Sequence, residues 1–525
     1  MLRITNIIIT LGLVVVAVVA GGSGRQHLFH SQSSAFESLS TWIDEQSQYA
    51  QARILSNIAP FADDASAMAG AVCASPSRTR PDYYYAWTRD SALVMNEILS
   101  WLIHQPQEEG NSDNWRQWNI ALDNYVEFTK HVQSLAPRLA YGLGEAKFHM
   151  DGSAFTKSWC NAQTDGPAIR ALTLIRLAEH RKKHGSGGNL IDVIRVDLDY
   201  VSRVWLQNTH CDIWEESRGL HFYTAMAQHR ALRAGAALLM QQRLGDTEAS
   251  RRYQNIADQI ELQLLPRFWN QTSNILDTTI EWSGGLSSKT SNLDTQVLLA
   301  SLHFTHATTS RHHQYGALRY SVDSAEMVST VLAILRRFEH MYDINSVATT
   351  RINGIEVPIG VAAGRYPEDV YNGVGTSQGN PWSLVTSALA EYHYRLALTY
   401  ANAGYFVVSS ELVALLKWTA PYINGDAELV DGLLQHQQQQ VSAAITGSNN
   451  SDNLFLRRGL LSYLLAAGDL YMARVARHTA NDHTMNEQWS AHTGFGRGAI
   501  HLTWSYAAHT AAARARSQLV SKIMN

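Results

Sequence analysis

Charge is scarce in this 525-residue chain: Asp, Glu, Lys and Arg supply 17% of it, against about 25% in an average soluble protein. The net charge is only −4 with histidine neutral, so there is no basic field to draw in phosphates and no acidic solvating tail, and no nucleic-acid partner is expected. Cysteine is equally sparse. Cys73, Cys160 and Cys211 have no CxxC spacing; they make a zinc cage implausible and permit at most one internal disulfide, with the pairing left open. The chain has 11 prolines and no Pro/Ser/Thr-rich linker, so nothing divides it, although its length alone would suggest three or four domains. HExxH, Walker and GxSxG motifs are missing, and Gly494-Phe495-Gly496-Arg497-Gly498 lacks the strand context of a nucleotide fingerprint. Neither a metal nor a cofactor is expected.

What remains is apolar and aromatic. Hydrophobic residues make up 45%, with 14 Trp and 22 Tyr, enough for a large core. At the N-terminus a short basic start precedes an apolar run from Ile7 to Ala20 that ends in small residues. This reads as a secretory signal over residues 1–24, cleaved near 20–24, because a spanning helix needs about 20 apolar residues. No later stretch is long and apolar enough to span, so stable membrane association after cleavage is not expected, and the chain is expected to be secreted, with a vacuole as the alternative. On that route Asn270 and Asn449, each heading a sequon, are glycosylation candidates.

From residue 25 to residue 525 the pattern is one all-helical domain. Amphipathic segments run through Tyr223–Leu239, Leu293–Leu302, Ser324–His340, Leu456–Ala467 and Thr503–Arg516. Asp165-Gly166-Pro167 reads as a capping side chain followed by a first-turn proline opening Ala168–His180, and Asn380-Pro381-Trp382 opens a helix in the same way. Three loops stand apart: Asp82 to Asp90, Asp212-Ile213-Trp214-Glu215-Glu216, and Arg365-Tyr366-Pro367-Glu368-Asp369. Each joins aromatic rings to charged groups. Ring faces stack on the apolar face of a sugar while Arg, Asp and Glu make directional bonds to its hydroxyls, so a neutral polyol is the expected ligand. Glycoside hydrolysis needs two carboxyl groups. Adjacent Glu215 and Glu216 diverge by roughly 100° or more and cannot both serve, so the partner of Glu215 lies elsewhere. Trp214 beside Glu215 would raise its pKa by desolvation, as a general acid requires.

The motifs then resemble a family, the eukaryotic glucoamylases of glycoside hydrolase family 15. The resemblance runs in order through Ala74-Ser75-Pro76-Ser77, Pro81 to Ser91, Gly142 to Phe148, Ser158-Trp159, Asp165 to Ala171, Asp212 to Glu216, Gln228 to Leu232, Gly364 to Asp369, Asn380-Pro381-Trp382, Asn486-Glu487-Gln488 and Leu502 to Ala507. It implies an (α/α)6 toroid with the active site at the mouth of its funnel. It implies that Glu215 is the general acid and Glu487 the base that activates water, releasing β-glucose with inversion from the non-reducing ends of α-1,4-linked starch or glycogen. By the same resemblance Arg89 and Asp90 grip the terminal glucose, Glu216 and Arg365 add sugar contacts, Trp159 contacts the acid, and Tyr83, Trp87 and Trp504 form aromatic walls. Asp212, Trp214 and Tyr366 are further candidate substrate contacts. A monomer acting on an α-glucan is expected. The chain stops about 20 residues after the Trp504 block, so no starch-binding domain is expected and attack on raw granules is doubtful. Two alternatives stand beside this reading: a non-catalytic glucan-binding protein, and a toroid glycosidase acting on trehalose or α-1,6-glucan.

Overall fold

The structure, a computed structural model, describes residues 26–104, 113–185, 190–240, 246–304, 319–403, 408–423, 430–435 and 453–524. The expected signal segment and Asn449 lie outside the described residues. Helices dominate: α1 (Gln26–Ser56), α2 (Thr88–His104), α3 (Asp113–Leu135), α4 (Asp165–Lys183), α5 (Ile191–Val204), α6 (Phe222–Met240), α7 (Thr247–Gln259), α8 (Gln296–Phe304), α9 (Ala325–Phe338), α10 (Ser383–Asn402), α11 (Ser410–Ile423), α12 (Asn453–His478) and α13 (Thr503–Met524).

Two kinds of helix are present, and the difference sets the architecture. Along α6 nearly every side chain from Phe222 to Leu239 is buried, and the same holds for α10 from Ser383 to Tyr400. A helix without a solvated face has to be enclosed by others. In α9, by contrast, Met327, Val328, Val331, Leu332, Leu335 and Phe338 form one apolar face, and the Ser324 hydroxyl caps its start by accepting from the Met327 amide. Enclosed and amphipathic helices alternate into an inner and an outer layer. The inner ring runs α2, α4, α6, α8, α10, α13 and closes where α13 packs against α2; the outer helices α1, α3, α5, α7, α9 and α12 lie against it. This is the (α/α)6 toroid.

Charged pairs pin the layers. Arg170 on α4 makes a bidentate pair with Asp197 on α5, at 2.6 and 2.8 Å and fully enclosed. Arg514 on α13 reaches Glu97 on α2 across 417 positions of sequence. The strands are short and two-stranded: β1 (Ala86–Trp87) with β2 (Lys147–Phe148), β3 (Ser217–His221) with β6 (Thr279–Gly285), β4 (Trp269–Asn270) with β5 (Ile275–Leu276), β7 (Thr349–Ile352) with β8 (Ile355–Pro358), and β9 (Gln488–Trp489) with β10 (Gly496–Arg497), all antiparallel. They brace loops at one end of the ring.

Two helix starts differ from the sequence reading. Thr164 occupies the N-cap of α4 without a side-chain capping bond, and Asp165 is already inside the first turn, bound to Arg89. Ahead of α10 the Asn380 side-chain oxygen Oδ1 accepts from the Ala491 amide instead of capping the helix. In both places a long-range partner takes the side chain that local capping would have used. The cysteines resolve as a Cys160–Cys211 disulfide and a buried Cys73 thiol.

Candidate active site

The N-terminal ends of the inner helices meet at one end of the ring, and the carboxylates gather there. Asp90 and Asp165 lie in the first turns of α2 and α4, where the positive end of the helix dipole favours negative charge. Between them is the Arg89 guanidinium, buried, 3.2 Å from Asp165 and 3.4 Å from Asp90. Burial lifts the Asp90 carboxyl to about 6, with Arg89 opposing the rise. The loop before β3 delivers Glu215 and Glu216. Glu215 holds a positive φ of 66°, a conformation that costs a non-glycine residue energy and persists only when its surroundings fix it. Asp212 does this fixing: its side chain accepts from the Glu216 and Ser217 amides at 2.8 and 3.0 Å, and its carbonyl accepts from the Glu215 amide.

The Glu215 carboxyl is gripped through one oxygen, Oε1, which accepts from Trp87 Nε1 at 2.7 Å and Gln163 Nε2 at 2.8 Å. The indole bound to Glu215 is therefore that of Trp87. Trp159 packs edge-on against Trp87, and its Nε1 finds no hydrogen-bond partner among the described residues. Trp214 is turned away as well, donating to Asp294 at 2.8 Å. Beside Trp87 the Lys147 ammonium sits against the rings of Trp159, Trp87, Phe155 and Tyr85, 3.1 to 4.6 Å from their centroids. Its pKa is pushed down to about 8 by burial, with the Glu215 charge opposing.

Glu216 forms a separate cluster. Its oxygens accept from Arg365 at 2.8 Å and from the Tyr366 hydroxyl at 2.6 Å, and Arg365 is held bidentately by Asp369. Below it Lys289 bridges Asp212 at 2.8 Å and Asp294 at 3.3 Å. Burial alone would raise the Asp212 carboxyl, but the Lys289 charge and the turn amides hold it far below the usual range. Asp212, Trp214 and Tyr366, expected as sugar contacts, also bond within the protein: Asp212 to two turn amides and Lys289, Trp214 to Asp294, and Tyr366 to Glu216.

Glu487 sits on the opposite wall. It is wholly buried; Oε2 accepts from the Tyr371 hydroxyl at 3.2 Å and the Ala499 amide at 3.3 Å, while Oε1 has no hydrogen-bond partner among the described residues. Burial raises its pKa to about 7, opposed by the Ala499 amide, the Tyr83 hydroxyl, the Arg365 charge and the Tyr371 hydroxyl. Gly498 is required here, since a Cβ would come within 2.1 Å of Glu487 Oε2. Tyr83 connects the two walls: its hydroxyl is 3.2 Å from that of Tyr371 and its ring lies 5.4 Å from that of Trp87. Both Glu215 and Glu487 act on its phenol, which burial already holds well above the usual range. Trp504 closes the floor beside Arg89 and His303.

One carboxyl held by neutral donors thus faces, across a tyrosine, a buried carboxyl with a free oxygen. That arrangement can donate a proton on one side and take one from water on the other. Gln163, Asp165, Lys147, Lys289, Asp294, Asp369 and Tyr371 were not singled out from sequence. Lys147, Asp165 and Asp369 lie inside the motif blocks and could have been; Lys289 and Tyr371 carry no local signal.

Comparison with known proteins agrees with this geometry. The family described as "Glycosyl hydrolases family 15" matches residues 47–514. "Glucoamylase" of Blastobotrys adeninivorans is 31% identical, over 94% of this chain and 74% of its own. "Glucoamylase 1" of Rhizopus oryzae is 32% identical, over 91% and 71%. A solved glucoamylase from Saccharomycopsis fibuligera superposes with a TM-score of 0.73 at 27% identity, covering 92% of this chain and 96% of its own. From its sequence, its toroid and its paired carboxyls, the chain belongs to glycosyl hydrolase family 15.

Proposed function

We propose that this chain is a glucan 1,4-α-glucosidase, removing glucose from the non-reducing ends of α-1,4-linked glucans of the starch and glycogen type with inversion at the anomeric carbon. The observation that carries the reading is the pair of differently held carboxyls. Glu215, gripped by Trp87 and Gln163, protonates the glycosidic oxygen. Glu487, with Oε1 free, takes a proton from the attacking water, and Tyr371 on Oε2 keeps the carboxyl turned toward it. An inverting pair leaves room for that water between its carboxyls.

Exo action follows from the grip. Arg89 and Asp90, both at the start of α2 with Arg89 tied to Asp165 at the start of α4, and Glu216, clamped by Arg365 and Tyr366, offer fixed charged partners to the hydroxyls of one terminal sugar. Binding energy gathered there is available for distortion at the scissile bond. The single domain over 25–525 and the cleaved signal over 1–24 belong to the same proposal, as does entry to the secretory route; no described helix is long and apolar enough to cross a membrane.

Proton NMR of the first product from maltotriose tests the reading. β-Glucose is expected, and α-glucose or no glucose overturns it. Glu215→Gln is expected to lower kcat by about 100-fold or more while KM changes little, since an amide cannot donate the proton.

A further inference from the structure

The disulfide joins the two segments that hold the proposed acid. Cys211 stands four residues before Glu215, on the loop that carries it; Cys160 stands three residues before Gln163, whose amide grips the Glu215 carboxyl. The Gln163 amide nitrogen uses one hydrogen on the Cys160 carbonyl at 2.9 Å and the other on Glu215 Oε1 at 2.8 Å, and its oxygen accepts from Arg89 at 2.9 Å. Both of its N–H donors and its oxygen are thereby engaged, and its orientation follows from the partners.

These links form a closed circuit. It passes from Glu215 Oε1 through Gln163 to Cys160, across the sulfurs to Cys211, and along the Asp212 turn back to Glu215. The disulfide is the one covalent link across it. Parallel contacts keep the segments together without it: the Cys211 amide donates to the Ala162 carbonyl at 2.9 Å, and Arg218 donates to the carbonyls of Asn161 and Thr209 at 2.7 Å. Reduction therefore relaxes the circuit without releasing the loop. Glu215, at φ 66°, is the residue most exposed to that relaxation, because its conformation depends on being held from both ends.

We propose that Cys160–Cys211 is a positioning device for Glu215, so that the enzyme works fully only in its oxidised form. This rests on Glu215 being the general acid. Reduction by dithiothreitol breaks the sulfur–sulfur bond and places a proton and an electron on each sulfur, the reagent closing to its own cyclic disulfide. Cys160 is partly exposed, which gives the reagent access, whereas Cys211 is fully buried.

The test compares the oxidised protein, the folded protein reduced and then reoxidised, and the C160S/C211S variant. On reduction kcat for maltotriose is expected to fall about 10-fold, within the range that an ångström of misplacement costs. KM should change less than kcat, the alkaline limb of the pH profile should move, and amide exchange over residues 212–217 should accelerate. Reoxidation should restore all four, and the double serine variant should resemble the reduced protein. The proposal is overturned if kcat, the alkaline limb and exchange at 212–217 are the same with and without the bond, or if only the melting temperature falls. Should the oxidised protein hydrolyse no α-glucan, the functional reading fails, and exchange at 212–217 alone then decides whether the disulfide holds the loop. If the serine variant does not fold, reversible reduction of the folded protein gives the same answer.

Discussion

Glu487 is the residue at which protein environment and chemistry meet most directly. A base must be ionised to take a proton, and burial opposes ionisation, here lifting the carboxyl from 4.5 to about 7. The free enzyme should therefore lose kcat/KM as the pH falls through a limb displaced upward from the ordinary Glu value. Tyr371 opposes the shift, because its hydroxyl stabilises the charged form. Tyr371→Phe keeps the ring and removes that bond, so the acidic limb should move to higher pH, while well above the limb kcat approaches the parent value. A pH profile of maltotriose hydrolysis reads this; an unmoved or lowered limb would mean that Tyr371 does not support the charge on Glu487. Glu215 was singled out from its aromatic and acidic loop, and Glu487 through the family resemblance alone. Their partners were legible only in part: Trp214 was expected beside the acid because it adjoins it in sequence and Trp159 because of the family resemblance, whereas the indole that donates to Glu215 is that of Trp87, 128 positions away.

At the scale of elements, the helices were readable and the loops were not. Periodicity placed α6 and α9 within a few residues, because burial of a continuous face repeats every turn, and found the start of α13 but ended it eight residues early. The loop between β6 and α8 has no such repeat, yet it supplies Lys289, the cation that Asp212 and Asp294 share. This side chain fastens the start of α8 to the loop carrying Glu215. Lys289→Met leaves two buried carboxylates without their cation, and breaking a buried pair costs about 3–5 kcal/mol. The pH dependence has a definite sign. Asp212 is held below its ordinary value of 3.8, so its contribution is fully present above that value and is lost as pH falls through the lower folded value. Urea denaturation should accordingly find the largest deficit in the variant near neutral pH and a shrinking one below about pH 4. A deficit independent of pH would assign Lys289 a packing role instead.

The whole molecule depends on ring closure, since the site draws on the starts of α2 and α13, the first and last inner helices, which are brought together only when the circle is complete. Near the middle of those helices Glu97 and Arg514 form the closing pair, with Nη2 at 2.6 Å from Oε2, and Trp101 donates to the same carboxylate at 2.9 Å. Burial lowers the pKa of Arg176 and Arg395, and the charge of Arg514 lowers each further, so Glu97 neutralises a crowded cationic cluster. Glu97→Leu should then cost about 3 kcal/mol by leaving that cluster under-compensated. Adding Arg514→Met removes the unpaired charge together with its partner, and much of the loss should return, because an apolar pair of similar volume often matches a buried ion pair. Thermal melts of the single and double variants separate closure by charge from closure by shape. If the double variant melts no higher than the single one, it is the guanidinium of Arg514 that holds the ring, through contacts beyond Glu97. The pair lies two to three helical turns beyond Arg89 and Trp504, roughly 12–15 Å along the helices, and bonds neither Glu215 nor Glu487, so kcat measured below the melting transition is expected to be unchanged in both.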